Sequence, residues 1–196
     1  MLSVIMHQRY SLIIILTACL LLEACAAAVV AGAGTGAIIA HDRRTFGSVI
    51  DDQNIELKLR NYIAQRQNLR DNTHVNFTSV NGVVLLSGEV QTEEQRNELL
   101  TATRAVAGVR RTVNQLNIAP LTSLGSRSHD TWITGKVKAR LAGDRRVDST
   151  RIKVVTEAAS VYLMGLVTQQ EGADAADAAR VVSGAKRIVK LFEYID

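Results

Sequence analysis

"VNFTSVNGVVLLSGEV", Val75 to Val90, reads as two short strands folded back on each other. Val75 and Phe77, then Val83 and Leu85, alternate at the period of two that a strand imposes, and Asn81-Gly82 between them is a strong two-residue turn signal. The stretch recurs further along the chain. It aligns with "IKVVTEAASVYLMGLV", Ile152 to Val167, where Glu157 to Ser160 takes the turn position with a weaker signal.

The duplication extends to both sides. "DQNIELKLRNYI", Asp52 to Ile63, aligns with "DTWITGKVKARL", Asp130 to Leu141, and matches Ile55, Leu59 and Ile63 to Ile133, Val137 and Leu141. Apolar residues recurring every four positions form one stripe of a helix. Thr92 to Val106 has Leu99, Leu100, Ala102 and Val106 at helical spacing, with Gly108 as a stop and Val109 to Ile118 as a final strand. "AVAGVRRTVNQLNI" aligns in turn with "VVSGAKRIVKLFEY", matching Gly108 to Gly184. The predicted order in each repeat is helix, strand, strand, helix, strand. A core this small is marginal alone, so the two repeats are expected to lean on each other. Between them, the sole proline, Pro120, and "LTSLGSRS" read as a linker.

This order, the paired glycines Gly88 and Gly108 with Gly165 and Gly184, and the preface "DRRTFGSVIDDQNIE" resemble BON domains. With "HDTWIT" opening the second repeat, the chain resembles outer-membrane lipoproteins that carry two such domains. The resemblance implies an α+β fold: two tandem BON domains, each a three-stranded mixed sheet packed on two helices. It also implies a role in outer-membrane integrity and enrichment at division sites. Glu157-Ala158-Ala159 departs from the family's usual Asn-Gly turn.

The first 25 residues, "MLSVIMHQRYSLIIILTACLLLEAC", have Arg9 ahead of an uncharged apolar run from Leu12 to Leu22, the layout of a secretory signal peptide. Glu23 interrupts the run before it reaches the roughly 20 residues of a membrane span. "LEAC", Leu22 to Cys25, resembles a lipobox, which implies diacylglyceryl attachment at Cys25; "LTAC", ending at Cys19, is the alternative. Met6 is an alternative start. Ala26 after the lipidated cysteine implies, by the family rule, the outer membrane and its periplasmic face. The expected organisation is a signal peptide over 1–24, a lipidated flexible tether over 25–46, repeats over 47–118 and 130–196, and a linker over 119–129. "GAGTG", Gly32 to Gly36, has neither a preceding strand nor a following Lys-Ser/Thr, so it belongs to the tether and not to a phosphate loop.

The single tryptophan carries the functional question. On a helix whose stripe is Ile133, Val137 and Leu141, Trp132 lies roughly 140° from the stripe's centre and cannot join the same core. Small residues, Gly135, Ala139 and Gly143, share its face; Lys136 and Arg140 flank one edge and Lys138 lies toward the other. Asn54 holds the matching place in the first repeat, so the helix stripe is shared while the exposed face is not. From Asp130 to Lys153 seven basic residues stand against three acids, an excess equal to the whole net charge of +4. A tryptophan ringed by cations suits an anionic phospholipid surface such as phosphatidylglycerol or cardiolipin, with Trp132, Lys136, Lys138 and Arg140 as the contact residues. Two other readings stay open: Trp132 packs against the first repeat, or the same patch docks an envelope protein.

Nucleic acid is disfavoured, because the charge excess is modest and no series of aromatics accompanies the basic residues. No cofactor and no metal site is expected: His7, His41, His74 and His129 lack metal-ligand spacing, and both cysteines fall in the leader. No G-x-S-x-G motif occurs, and the acid pairs Asp51-Asp52 and Glu93-Glu94 are read as helix-start residues favoured by the macrodipole. The chain is therefore not expected to be an enzyme.

Overall fold

A computed structural model describes residues 42–195; the expected signal peptide, Cys25 and most of the tether lie outside the described residues. Helix α1, Phe46–Ala64, begins at Thr45, whose side chain accepts from the Ser48 backbone N–H. A short helix α2, Gln67–Asn72, which the sequence did not signal, leads into β1, Thr73–Val80, and β2, Val83–Val90. These strands pair antiparallel, with Val80 opposite Val83. Asn81 and Gly82 between them both have positive φ, the conformation of a hairpin turn whose twist matches its strands. Helix α3, Glu93–Ala105, starts at a capping box of Thr92 and Gln95. It crosses over to β3, Arg111–Ile118, which runs parallel to β2, so the sheet order is β1-β2-β3.

The second repeat runs through α4 (Leu124–Ala142), a 3-10 turn at Ser149–Arg151, β4 (Lys153–Glu157), β5 (Ser160–Val167), α5 (Gln169–Arg180) and β6 (Arg187–Tyr194). Its order β4-β5-β6 and its antiparallel and parallel pairings reproduce the first sheet. The expected α+β fold is observed in both repeats. Three boundaries differ. Helix α4 starts at Leu124, inside the expected linker, because Ser123 caps it by accepting from the Ser126 N–H. Residues at the end of the expected tether are docked: Arg43 pairs with Glu171 at 2.6 Å and Arg44 with Asp52 at 3.0 Å. Asp51 and Asp52 lie inside α1 and not at its start.

Asp52 is buried, and its carboxylate works on the hairpin. Oδ1 accepts from the Gly82 N–H at 2.9 Å and from Ser79 Oγ at 2.5 Å, while Oδ2 accepts from the Asn81 N–H at 2.7 Å. Asp130 holds the same post in α4, accepting from the Ala158 and Ala159 N–H groups at 2.9 and 2.8 Å. That explains how "EAAS" makes a hairpin without Asn-Gly: Ala158 and Ala159 sit at φ 47° and 60°, costly for residues with a Cβ, and a buried carboxylate over-determines the turn. Gly88 and Gly165 answer a different need. A Cβ on Gly88 would lie 2.0 Å from the His74 carbonyl oxygen, and one on Gly165 would lie 2.2 Å from that of Arg151.

Each sheet is covered on one face by its own helices: Ile55, Leu59, Leu99 and Leu100 pack on Val84, Leu86 and Val90, and Ile133, Val137 and Leu141 pack with Val161, Leu163 and Val167. The opposite faces meet each other. Val80, Val83 and Leu85 of the first repeat form a single buried cluster with Tyr162 and Met164 of the second. The result is four layers, helices outside and two sheets face to face, so the repeats do lean on each other. Arg43–Asp196 forms one compact body that holds all three apolar clusters.

Asp130→Ala should strip the buried Ala159 N–H and the part-buried Ala158 N–H of their acceptor and lower stability by about 2–3 kcal/mol in urea unfolding. The double change Ala158→Asn with Ala159→Gly should raise it by about 1 kcal/mol, by relieving the positive-φ cost.

Candidate functional site

Asp130, Ile133, Val137 and Leu141 form the buried face of α4, and Trp132, Lys138 and Arg140 lie on its exposed side. Trp132 is 58% exposed, so it does not lock the two repeats together. The ring is held from one side: Lys136 Nζ lies 3.6 Å above its centroid and also donates to the backbone oxygen and Oγ of Ser183. On the other flank the His129 ring stands 6.0 Å away. Cation–π contact and hydrogen bonding together fix Lys136 as a support for the indole, in place of the outward reach expected of it.

The four expected contact residues are not one cluster. Arg140 is exposed, shares Trp132's side of the helix and has no ion-pair partner among the described residues. Lys138 lies on the opposite flank, where it lines a groove with Arg44, Val80 and Met164. The basic window is also less cationic than its composition. Arg146 pairs with Asp144 and Asp174, Arg151 with Asp148 and Glu171, and Lys153 with Glu56. Hydrogen bonding from Arg146 holds the Asp144 carboxyl down at about 2, so that pair stays charged across the physiological range. Val181, 68% exposed and two residues from the Ser183 that Lys136 grips, is an exposed apolar residue that the sequence reading did not single out. Only the repeat, which places the Ser183-Gly184 loop against α4, could have signalled it.

A second grouping lies between the repeats. His74 on β1, Glu89 on β2 and Glu157 on β4 bring one ligand atom each to within 4.8 Å of one another, although the sequence spacing gave no hint of a metal centre. Burial pushes the Glu157 carboxyl above its ordinary value, and Glu89 and Asp130 push the same way; the Asn76 hydrogen bond and His74 oppose them.

Two copies of one α+β unit, each with an aspartate pinning its first helix to a hairpin, define the class. The BON domain profile matches residues 51–120 and 129–196, and the chain belongs to the BON domain family. It is similar to the outer membrane lipoprotein DolP of Haemophilus influenzae, with 37% identity over 94% of this chain and 96% of that one. It is also similar to the osmotically-inducible protein Y of Escherichia coli, at 30% identity over 72% of each chain, and to a 21 kDa hemolysin of Actinobacillus pleuropneumoniae, at 28% over 79% of each. Among solved structures, the C-terminal domain of CdsD, a type III secretion protein of Chlamydia trachomatis, aligns with 74% of this chain and 67% of its own at a TM-score of 0.29 and 11% identity.

Lys136→Ala removes the cation from the indole face without touching the core. Acrylamide quenching of the lone tryptophan in lipid-free protein should increase, while the unfolding free energy changes by no more than about 1 kcal/mol.

Proposed function

We propose that this chain is a non-catalytic, lipid-anchored protein of the outer membrane that faces the periplasm and presses α4 onto anionic phospholipid. The observation that carries the reading is Trp132: a large ring more than half exposed and propped by Lys136, where a folding role would have buried it. An indole with an apolar body and a polar N–H settles at headgroup depth, and Arg140, on the same side of α4, adds a phosphate partner. Lys138 assists from the far flank as a long-range charge. The near full-length similarity to a protein named an outer membrane lipoprotein supports the location, and the lipobox-like "LEAC" supports Cys25 as the anchor. Two or three acyl chains hold a protein at a membrane essentially permanently, so the α4 surface needs only weak affinity of its own. A role in outer-membrane integrity at division sites follows from the family resemblance.

Residues 43–196 with Trp132→Glu should lose at least tenfold in affinity for phosphatidylglycerol or cardiolipin vesicles, with an unchanged unfolding midpoint. Unchanged vesicle binding would overturn the reading. Photocrosslinking in cells from position 132 separates the adaptor alternative: lipid adducts support docking on the bilayer, and a single protein adduct supports a partner. Arg140→Glu should weaken vesicle binding several-fold at low ionic strength and by less at high salt, since exposed charge is screened.

A further inference from the structure

The inter-repeat cleft is the strongest unexplained feature of the molecule. It encloses about 490 Å³ and is lined by His74, Asn76, Arg127, Asp130, Thr134 and Glu157 among others. Glu89 and Glu157 are 2% and 4% exposed, an expensive place for two carboxylates that approach each other across the junction. Most buried carboxylates in this protein are matched by a guanidinium or by turn N–H groups. This pair is matched chiefly by one imidazole: His74 Nδ1 lies 3.1 Å from Glu89 Oε2. Arg60, in the same lining, pairs with Glu56, and Arg127 donates to Thr122 Oγ1, which in turn donates to Glu89, so among the described residues no guanidinium pairs directly with Glu89 or Glu157.

We propose that His74, Glu89 and Glu157 form a divalent metal site, best suited to Zn²⁺, that bridges the two repeats. One imidazole and two carboxylates are a ligand set that Zn²⁺ accepts, with bonds of about 2.0–2.2 Å. Tetrahedral geometry at that length sets ligand atoms about 3.4 Å apart. The observed spread of up to 4.8 Å closes with side-chain shifts of about an ångström. The supporting hydrogen bonds are in place. Glu89 Oε2 accepts from Thr122 Oγ1 at 3.0 Å, and Glu157 Oε2 accepts from Asn76 Nδ2 at 3.1 Å, which orients both carboxylates and leaves Oε1 of each without a donor among the described residues.

A second, independent observation comes from the same sheet face. Ser87, two residues before Glu89 on β2, is fully buried and its Oγ has no hydrogen-bond partner among the described residues, an unpaired hydroxyl on the strand face that carries one of the proposed ligands. Three protein ligands leave one coordination position for a water. A divalent ion there offsets the charge of both carboxylates. Because His74 and Glu89 belong to the first repeat and Glu157 to the second, the ion acts as a staple across the sheet junction.

The test uses the full-length chain in detergent at neutral pH, with Zn²⁺ as the probe. Calorimetric titration should show one ion per chain, and a hundredfold excess over Kd should raise Tm by roughly 5–10 °C, reversed by EDTA. Glu157→Gln and His74→Ala should each weaken binding at least tenfold, while His129→Ala leaves it unchanged. If a cleft variant fails to fold, imidazole NMR of the unsubstituted chain decides: the His74 resonance should shift in step with one equivalent of Zn²⁺ and the His129 resonance should not. No one-to-one binding below about 100 µM, or binding that leaves His74 unmoved, overturns the site.

Discussion

One carboxylate per repeat sets the geometry of everything else. Asp52 and Asp130 each leave the first helix and take the N–H groups at the tip of the β-hairpin, so the helix is fixed to the sheet in rotation as well as in position. On a helix turning about 100° per residue, Trp132 lies about 200° from Asp130. The bond that draws Asp130 inward therefore turns Trp132 outward, and Ile133, one residue further, completes the inward face. The exposed indole is a consequence of the pinned helix and not a local accident of the surface.

The duplication shows which positions obey this constraint and which have been released from it. Asp52 and Asp130, Ile55 and Ile133, Leu59 and Val137 occupy the same posts in both repeats. Outside the core the two first helices diverge: α1 exposes Phe46, Ile50 and Leu57, whereas α4 carries Trp132 over a low surface in which Gly135 has open space around it. Joining the repeats through their sheets buries β2 entirely and β5 nearly so, and leaves the outer helices as the surfaces free to diverge.

Much of this was legible because it is periodic. The Ile133-Val137-Leu141 stripe, the Asn81-Gly82 turn and the repeat itself fix the element order, and the stripe alone turns Trp132 away from the core. The start of α4 was hidden because glycine and serine in "LTSLGSRS" read as linker, while the deciding signal was the cap at Ser123. The Asp52 role was hidden because an acid pair near a helix start looks like a dipole partner; only the folded hairpin shows that its oxygens are taken by turn N–H groups. The faces through which the repeats meet were hidden because Val83 to Leu86 is apolar on both sides of the strand, so nothing in it marks which side meets the helices and which the other sheet. His74, Glu89 and Glu157 meet only after two sheets have formed and stacked.

Charge pairing then decides how such a protein can hold a membrane. Of the seven basic residues between Asp130 and Lys153, Arg146, Arg151 and Lys153 are spent on internal carboxylates and Lys136 is spent on the indole. Lys138, Arg140 and Arg145 remain, worth about 1 kcal/mol each at an anionic surface. That sum corresponds to binding no tighter than roughly millimolar, and even with the indole added it falls short of stable attachment. A surface this weak works only when something else keeps it within reach of the bilayer. On the proposed reading, acyl chains at Cys25 would do so, and would convert a fleeting contact into one that the bilayer's local charge can modulate.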